Sequence, residues 1–271
     1  MKTNFKFSYT TQASTPFKRF LIQFVERISG RKHLEQLYLN IQQNPAQNPS
    51  FWAATMQALS LDIQFNQTHL AQAPKTGPLV VTSNHPYGVL DGLTICYLVE
   101  KIRPDFKILA SAVLMQVPEI APYILPVDLS NRPEAQASNV TTRKAALAHV
   151  KNGGALIIFP AGLISTSPDK LGKKTAIDPP WGTFSAQLIK RSQANVLPIF
   201  FHGQNSRLFQ IVSHISRTIR LALIFHEVKA RIGSEVQVGV DAPIWQQDIA
   251  HLSNRALINL LRQKSYALAR E

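Results

Sequence analysis

The sequence predicts an α/β protein: a mixed central sheet flanked by helices, with an N-terminal helical appendage. Short β-rich apolar runs alternate with stretches of helical periodicity from residue 78 onward, the pattern of strands covered by helices on both faces. Before residue 62 the apolar positions recur only at helical spacing. The chain has 271 residues, 45% of them hydrophobic, which suffices for one large domain with a sizeable core.

The elements follow in order. Residues 1–14 are polar and patternless, a loose tail. Phe17, Phe20, Leu21, Phe24, Val25 and Ile28 then form one helical face beside Lys18, Arg19, Arg27, Arg31 and Lys32, with Glu26 the only acid before residue 33. An aromatic-rich face among cations suits a helix lying in a membrane interface, and equally a helix packed on the core. Leu34, Leu37, Tyr38 and Ile41 continue as a second stripe, Pro45 and Pro49 break it, and residues 51–61 read as a third helix. Residues 1–61 are therefore expected to be a tail and amphipathic helices that dock on a membrane, and residues 62–271 the α/β domain. Within the latter, strands are expected at 78–82, 106–109, 125–127, 155–159, 196–201, 221–228 and 236–240, and helices at 92–101, 135–151, 184–192 and 246–269. The segment 165–181, with Pro168, Gly172, Pro179 and Pro180, is long for a plain connection, and such loops tend to be functional.

Charge and composition narrow the function. Lys and Arg total 29 against 16 Asp and Glu, a net charge of +13, which points to a polyanionic partner: nucleic acid, an anionic membrane or phosphorylated substrates. Cys96 is the single cysteine, which excludes an intramolecular disulfide framework and a cysteine-based zinc site. No apolar run is long enough to cross a bilayer, and Lys18 and Arg19 fall where a signal peptide would be apolar, so a soluble or peripheral protein is expected. No aromatic-basic recognition motif accompanies the charge, which argues against nucleic acid. No metal-ligand spacing occurs, and no metal is expected.

The densest chemical signal is Asn84-His85-Pro86-Tyr87-Gly88-Val89-Leu90-Asp91-Gly92. It follows an apolar strand and precedes a helix, which puts His85 at the carboxyl end of a strand, where α/β proteins build their sites. Pro86 keeps His85 extended, and Gly88 can take a positive φ and fold the chain back. Such a turn brings the Asp91 carboxylate to one ring nitrogen of His85 and leaves the other as a general base. Asp91 is equally well placed to cap the following helix, a role that needs no catalysis. A second strand runs into the turn Phe159-Pro160-Ala161-Gly162, whose backbone N–H groups are candidates for holding an oxyanion. Cys96, His202, His214 and His226 read as structural.

Together these residues resemble the glycerolipid acyltransferase family, of which the bacterial 1-acylglycerol-3-phosphate acyltransferases are members. The resemblance rests on Asn84-His85-Pro86 with Asp91-Gly92, on Phe159-Pro160-Ala161-Gly162, on Asn195-Val196-Leu197-Pro198-Ile199 and, loosely, on residues 123–128. It spans roughly residues 75–245. Five residues rather than the family's four separate His85 from Asp91, Ala161 stands where the family has Glu, and Leu163-Ile164 replace its Thr-Arg pair. These variants are similar to a divergent branch, the hemolysin-like and ornithine-lipid acyltransferases, as is Phe201-His202-Gly203-Gln204-Asn205-Ser206.

The resemblance implies transfer of a fatty acyl chain from acyl-CoA or acyl carrier protein to a lysophospholipid or lyso-aminolipid, with no further cofactor. It makes His85 the base and Asp91 its partner, and puts Asn84, Gly88, Phe159, Pro160, Ala161 and Gly162 around the substrate. With the family's arginine missing, Lys173, Lys174 and Arg132 are candidates to hold phosphate. It also implies a peripheral protein on the cytoplasmic face of the membrane, with an anionic bilayer, a lysolipid acceptor and acyl carrier protein as partners. A catalytically inert lipid-binding relative is the alternative reading.

Overall fold

The computed structural model describes residues 29–44, 50–128 and 133–270. The amphipathic stripe at residues 17–28 and Arg132 lie outside the described residues.

Two helices come first, α1 (Arg31–Gln43) and α2 (Phe51–Ala58), the second capped by the Ser50 hydroxyl, which accepts from the Ala53 N–H. Next come β1 (Asp62–Phe65), α3 (Gln67–Ala71), β2 (Leu79–Ser83), α4 (Val89–Glu100), β3 (Phe106–Ser111) and β4 (Ile124–Val127). The chain continues with α5 (Pro133–Lys151), β5 (Ala155–Ile158), α6 (Phe184–Ser192), β6 (Asn195–Phe201), α7 (Arg207–Ile215), α8 (Arg217–Ala230) and β7 (Glu235–Val240). It ends with α9 (Gln246–Ile249) and α10 (Asn254–Ala267).

The seven strands form one sheet in the order β1-β7-β6-β2-β5-β3-β4. Five strands run parallel, and the edge pair β7 and β1 runs against them, β7 being antiparallel to β6. The sheet is mixed and flanked by helices, as the alternating pattern predicts. β2 lies between β5 and β6 and is buried along its whole length. Its side chains alternate between two cores, because successive residues of a strand point to opposite faces. Leu79 and Val81 pack with Trp52, Leu98 and Phe225, whereas Val80 packs with Val150, Ile189 and Leu261. Helices α1, α2, α4 and α8 thus cover one face, and α5, α6 and α10 the other. This placement leaves the carboxyl ends of β2, β5 and β6 side by side at one edge, where the chain turns into loops.

One predicted strand is a helix. Residues 221–228 lie within α8, where Ala222, Phe225 and Val228 point into the core at helical spacing. A short apolar run does not by itself distinguish a buried strand from a buried helix. Here the Ser216 hydroxyl, accepting from the Ile219 N–H, starts a helix. The expected C-terminal helix is two helices, separated at residues 250–253, and Ser253 caps the second. Strand β1 and helices α3 and α7 were not anticipated. No helix among the described residues is long and apolar enough to cross a membrane.

Candidate active site

Asn84 and His85 follow the end of β2, and Gly88 turns the chain into α4 with φ +80°. A side chain at Gly88 would be strained at this φ, and its Cβ would lie 2.7 Å from Ile164 Cδ1, which would have to move aside. The five-residue spacing closes: Asp91 Oδ2 lies 3.0 Å from His85 Nδ1. The same oxygen accepts the N–H groups of Tyr87 at 2.8 Å and Gly88 at 2.9 Å. The carboxylate therefore caps α4 and faces the imidazole at once. Asp91 is fully buried, whereas 18% of the His85 side chain remains exposed.

The second turn supplies the wall. The Phe159 ring stacks on His85 with centroids 4.0 Å apart and planes inclined by 25°. Pro160 O accepts from the Gly182 N–H, and Ala161 packs on the α6 side of the sheet. The Gly162 N–H closes its own turn on Phe159 O at 2.9 Å. That amide is used within its own turn.

Asn84 holds the strand ends together. Its side chain accepts from the Phe201 N–H at 2.7 Å and donates to Phe201 O at 2.9 Å, spending both ends of the amide on β6. Tyr87 does the same for the loop after β6, donating its hydroxyl to His202 O, while the Arg231 guanidinium lies 4.0 Å above its ring. Gly203, at φ +92°, is obligatory there, because a Cβ would come within 2.1 Å of the Tyr87 hydroxyl.

Asp178 was missed by sequence reasoning. Buried in the long loop, it accepts from the His85 main-chain N–H at 3.2 Å, the Ser165 hydroxyl at 2.5 Å and the Trp181 indole N–H at 2.8 Å. Its own N–H donates to the Tyr266 hydroxyl. Ser165 N–H in turn donates to His85 O at 2.8 Å, so both polar groups of the His85 peptide unit are tied to this loop. Its sole sequence signal was the length of the loop.

Lys173 and Lys174 lie further along the same loop with exposed side chains. Their main-chain N–H groups, with that of Leu171 and the Ser167 hydroxyl, converge on Asp169, and these donors hold its carboxyl far below the usual range. The guanidinium of Arg220, on α8, donates to Ile164 O beside the Gly88 turn.

On the other side of α4 lies an apolar cleft of about 930 Å³, open solvent at its mouth included. It is lined by Leu37, Phe51, Val89, Leu93, Val117 and Phe225 among others. Val89 comes directly after Gly88, so the cleft begins where the His85 turn ends.

A strand-end histidine facing a buried carboxylate, beside an apolar cleft, is a site suited to deprotonating a hydroxyl near an aliphatic chain. Residues 20–270 match the acyltransferase family, and the chain belongs to it. Among its relatives are two lyso-glycine lipid O-acyltransferases. That of Phocaeicola vulgatus is 26% identical over 214 residues, which is 77% of this chain and 72% of the relative. That of Bacteroides thetaiotaomicron is 26% identical over 216 residues, 77% of this chain and 74% of the relative. The crystal structure of the 1-acyl-sn-glycerophosphate acyltransferase from Thermotoga maritima has the same fold, with a TM-score of 0.52 over 96% of this chain and 84% of that one at 14% identity.

Two predictions follow from this geometry. Burial pushes the Asp91 carboxyl above the usual range, with the donors of His85, Tyr87 and Gly88 pulling the other way. Its folded-state pKa exceeds its unfolded one. The group therefore favours folding below the ordinary carboxylate range, and that share of stability is lost as pH rises through the folded value. Asp91→Asn removes this loss, so its melting temperature should fall less than the wild type's between acid and neutral pH. Parallel melting curves across a pH series would contradict the assignment. Asp178→Asn places an amide N–H₂ against one of the N–H donors that the carboxylate now accepts, a cost of about 1–3 kcal/mol. Urea unfolding should show that loss, and the folded variant should transfer acyl groups about tenfold or more slowly, because a small displacement of a catalytic group is costly.

Proposed function

We propose that this enzyme moves a fatty acyl chain from a thioester donor, acyl-CoA or acyl carrier protein, to the hydroxyl of a lysolipid, with a lyso-aminolipid the favoured acceptor. The observation that carries the mechanism is the 3.0 Å approach of Asp91 Oδ2 to His85 Nδ1 at a strand end. The names of the two relatives support a lysolipid acceptor and an ester product.

The reaction follows from the parts. With Nδ1 turned to the carboxylate, His85 Nε2 takes the proton of the acceptor hydroxyl as its oxygen attacks the thioester carbonyl. The imidazolium that forms is balanced by Asp91. Collapse of the tetrahedral intermediate expels the thiolate, which receives the proton from His85. The new ester and the free thiol leave. No acyl-enzyme is required, in keeping with the absence of a Gly-x-Ser-x-Gly sequence, and the thioester is a co-substrate rather than a resident cofactor.

The apolar cleft beginning at Val89 fits the aliphatic part of this substrate pair. Its walls offer an alkyl chain dispersion contacts and exclusion from water, while the carbonyl remains at the His85 end. The protein would work at the cytoplasmic face of the membrane, where the surplus of 29 cationic over 16 acidic side chains attracts anionic lipid.

Purified protein incubated with acyl-CoA or acyl carrier protein and a panel of lysolipids tests the reading. Acylated product should form, and His85→Ala should lower kcat by about 10²–10⁴-fold while keeping its fold. Full activity in that variant would remove His85 as the base, and a wild type inert toward every acceptor would favour a lipid-binding relative. Leu93→Trp should fill the cleft and shift preference toward shorter chains, with kcat/KM for long-chain donors falling about tenfold or more. An unchanged chain-length profile would show that the alkyl chain binds elsewhere.

A further inference from the structure

Five of the nine large apolar side chains exposed among the described residues fall between residues 163 and 215: Leu163, Leu171, Ile177, Leu208 and Ile215. They belong to the long loop after β5, which hydrogen-bonds the His85 peptide unit, and to α7, on which that loop is fastened. Leu208 and Ile215 are seven residues apart and so share one helical face, 54% and 74% exposed, while Phe209 and Gln210 on another face are buried. The loop is fastened along this helix. Arg207 Nε donates to Leu171 O at 2.9 Å, Gln210 Oε1 accepts from the Ser167 N–H at 2.9 Å, and His214 Nε2 lies 2.9 Å from Ser167 O. The apolar side chains therefore stand on a braced platform.

The charge of this region is one-sided. The loop at residues 163–177 and α7 together contain four Lys and Arg, one Asp and no Glu, a surplus of +3. That acid, Asp169, accepts the main-chain N–H groups of its own turn. Lys170, Lys173, Lys174 and Arg207 are exposed between the leucines. Protein–protein interfaces are depleted in lysine at their centres. Single apolar side chains dipping between cations suit a phospholipid surface instead, where alkyl groups enter the headgroup boundary and ammonium groups meet phosphates.

We propose that α7 and the loop at residues 163–177 form a docking surface for an anionic lipid bilayer. It rests on the lysolipid reading above. With this face on the membrane, the elements beside His85 lie against the layer that holds the acceptor.

The test uses the full chain and sedimentation with vesicles of phosphatidylcholine, alone or mixed with phosphatidylglycerol. The wild type should prefer the mixed vesicles. Leu208→Glu/Ile215→Glu, made at two exposed positions and checked by thermal melting, should lower partitioning onto them by about tenfold or more. Lys170→Ser should lower it by about fivefold, with the difference fading in high salt. The double variant should acylate a dissolved short-chain acceptor at the wild-type rate and a vesicle-embedded one more slowly. Unchanged partitioning in both variants, or equal wild-type binding to the two vesicle types, would overturn the surface and point the platform toward a protein partner. A wild type that binds mixed vesicles in this way yet acylates nothing would count against the proposed function and leave the surface standing.

Discussion

One carboxylate oxygen organises the site. Asp91 Oδ2 receives the N–H groups of Tyr87 and Gly88 and faces Nδ1 of His85, while Oδ1 has no hydrogen-bond partner among the described residues. Burying a carboxylate is unfavourable unless donors converge on it, and here two main-chain N–H groups donate to it while the imidazole stands 3.0 Å away. The start of α4, the geometry of the turn and the approach of the imidazole therefore meet at a single placement.

The rest of the fold serves this placement from a distance. The central strand β2 is held on both sides, and its end is stapled to β6 by Asn84. Asp178 and Ser165 fix the His85 peptide unit from the long loop, and Phe159 sets the plane of its ring. These groups come from the segments after β2 and β5, and the Asn84 staple adds the end of β6, which is why the site lies at the edge where β2, β5 and β6 end together.

What the sequence made legible was local. The turn from His85 to Asp91 could be read because Pro86 and Gly88 restrict and release the backbone within a few residues of the groups they bring together. The strand and helix alternation was readable because β2, β5 and β6 are short continuous apolar runs, buried on both faces and set between turns and helical stretches. The supporting contacts were not. Asp178 reaches His85 across 93 positions and Asn84 reaches Phe201 across 117, and nothing in a linear pattern pairs them. Helix α8 was misread because its apolar run from Leu221 to Phe225 is too short to show either period, and a short apolar run fits a buried strand and a buried helix alike. Gly203 could be read only as a turn glycine, since what makes it necessary is the hydroxyl of Tyr87.

The stacking of Phe159 on His85 has a consequence for selectivity. One face of the imidazole is covered, and the Nδ1 edge is turned to Asp91. In the proposed mechanism the remaining ring nitrogen is presented edge-on, and a hydroxyl would have to approach nearly in the plane of the ring to share its proton. Discrimination among acceptors would then depend on the direction from which an alcohol can be delivered, rather than on how acidic that alcohol is.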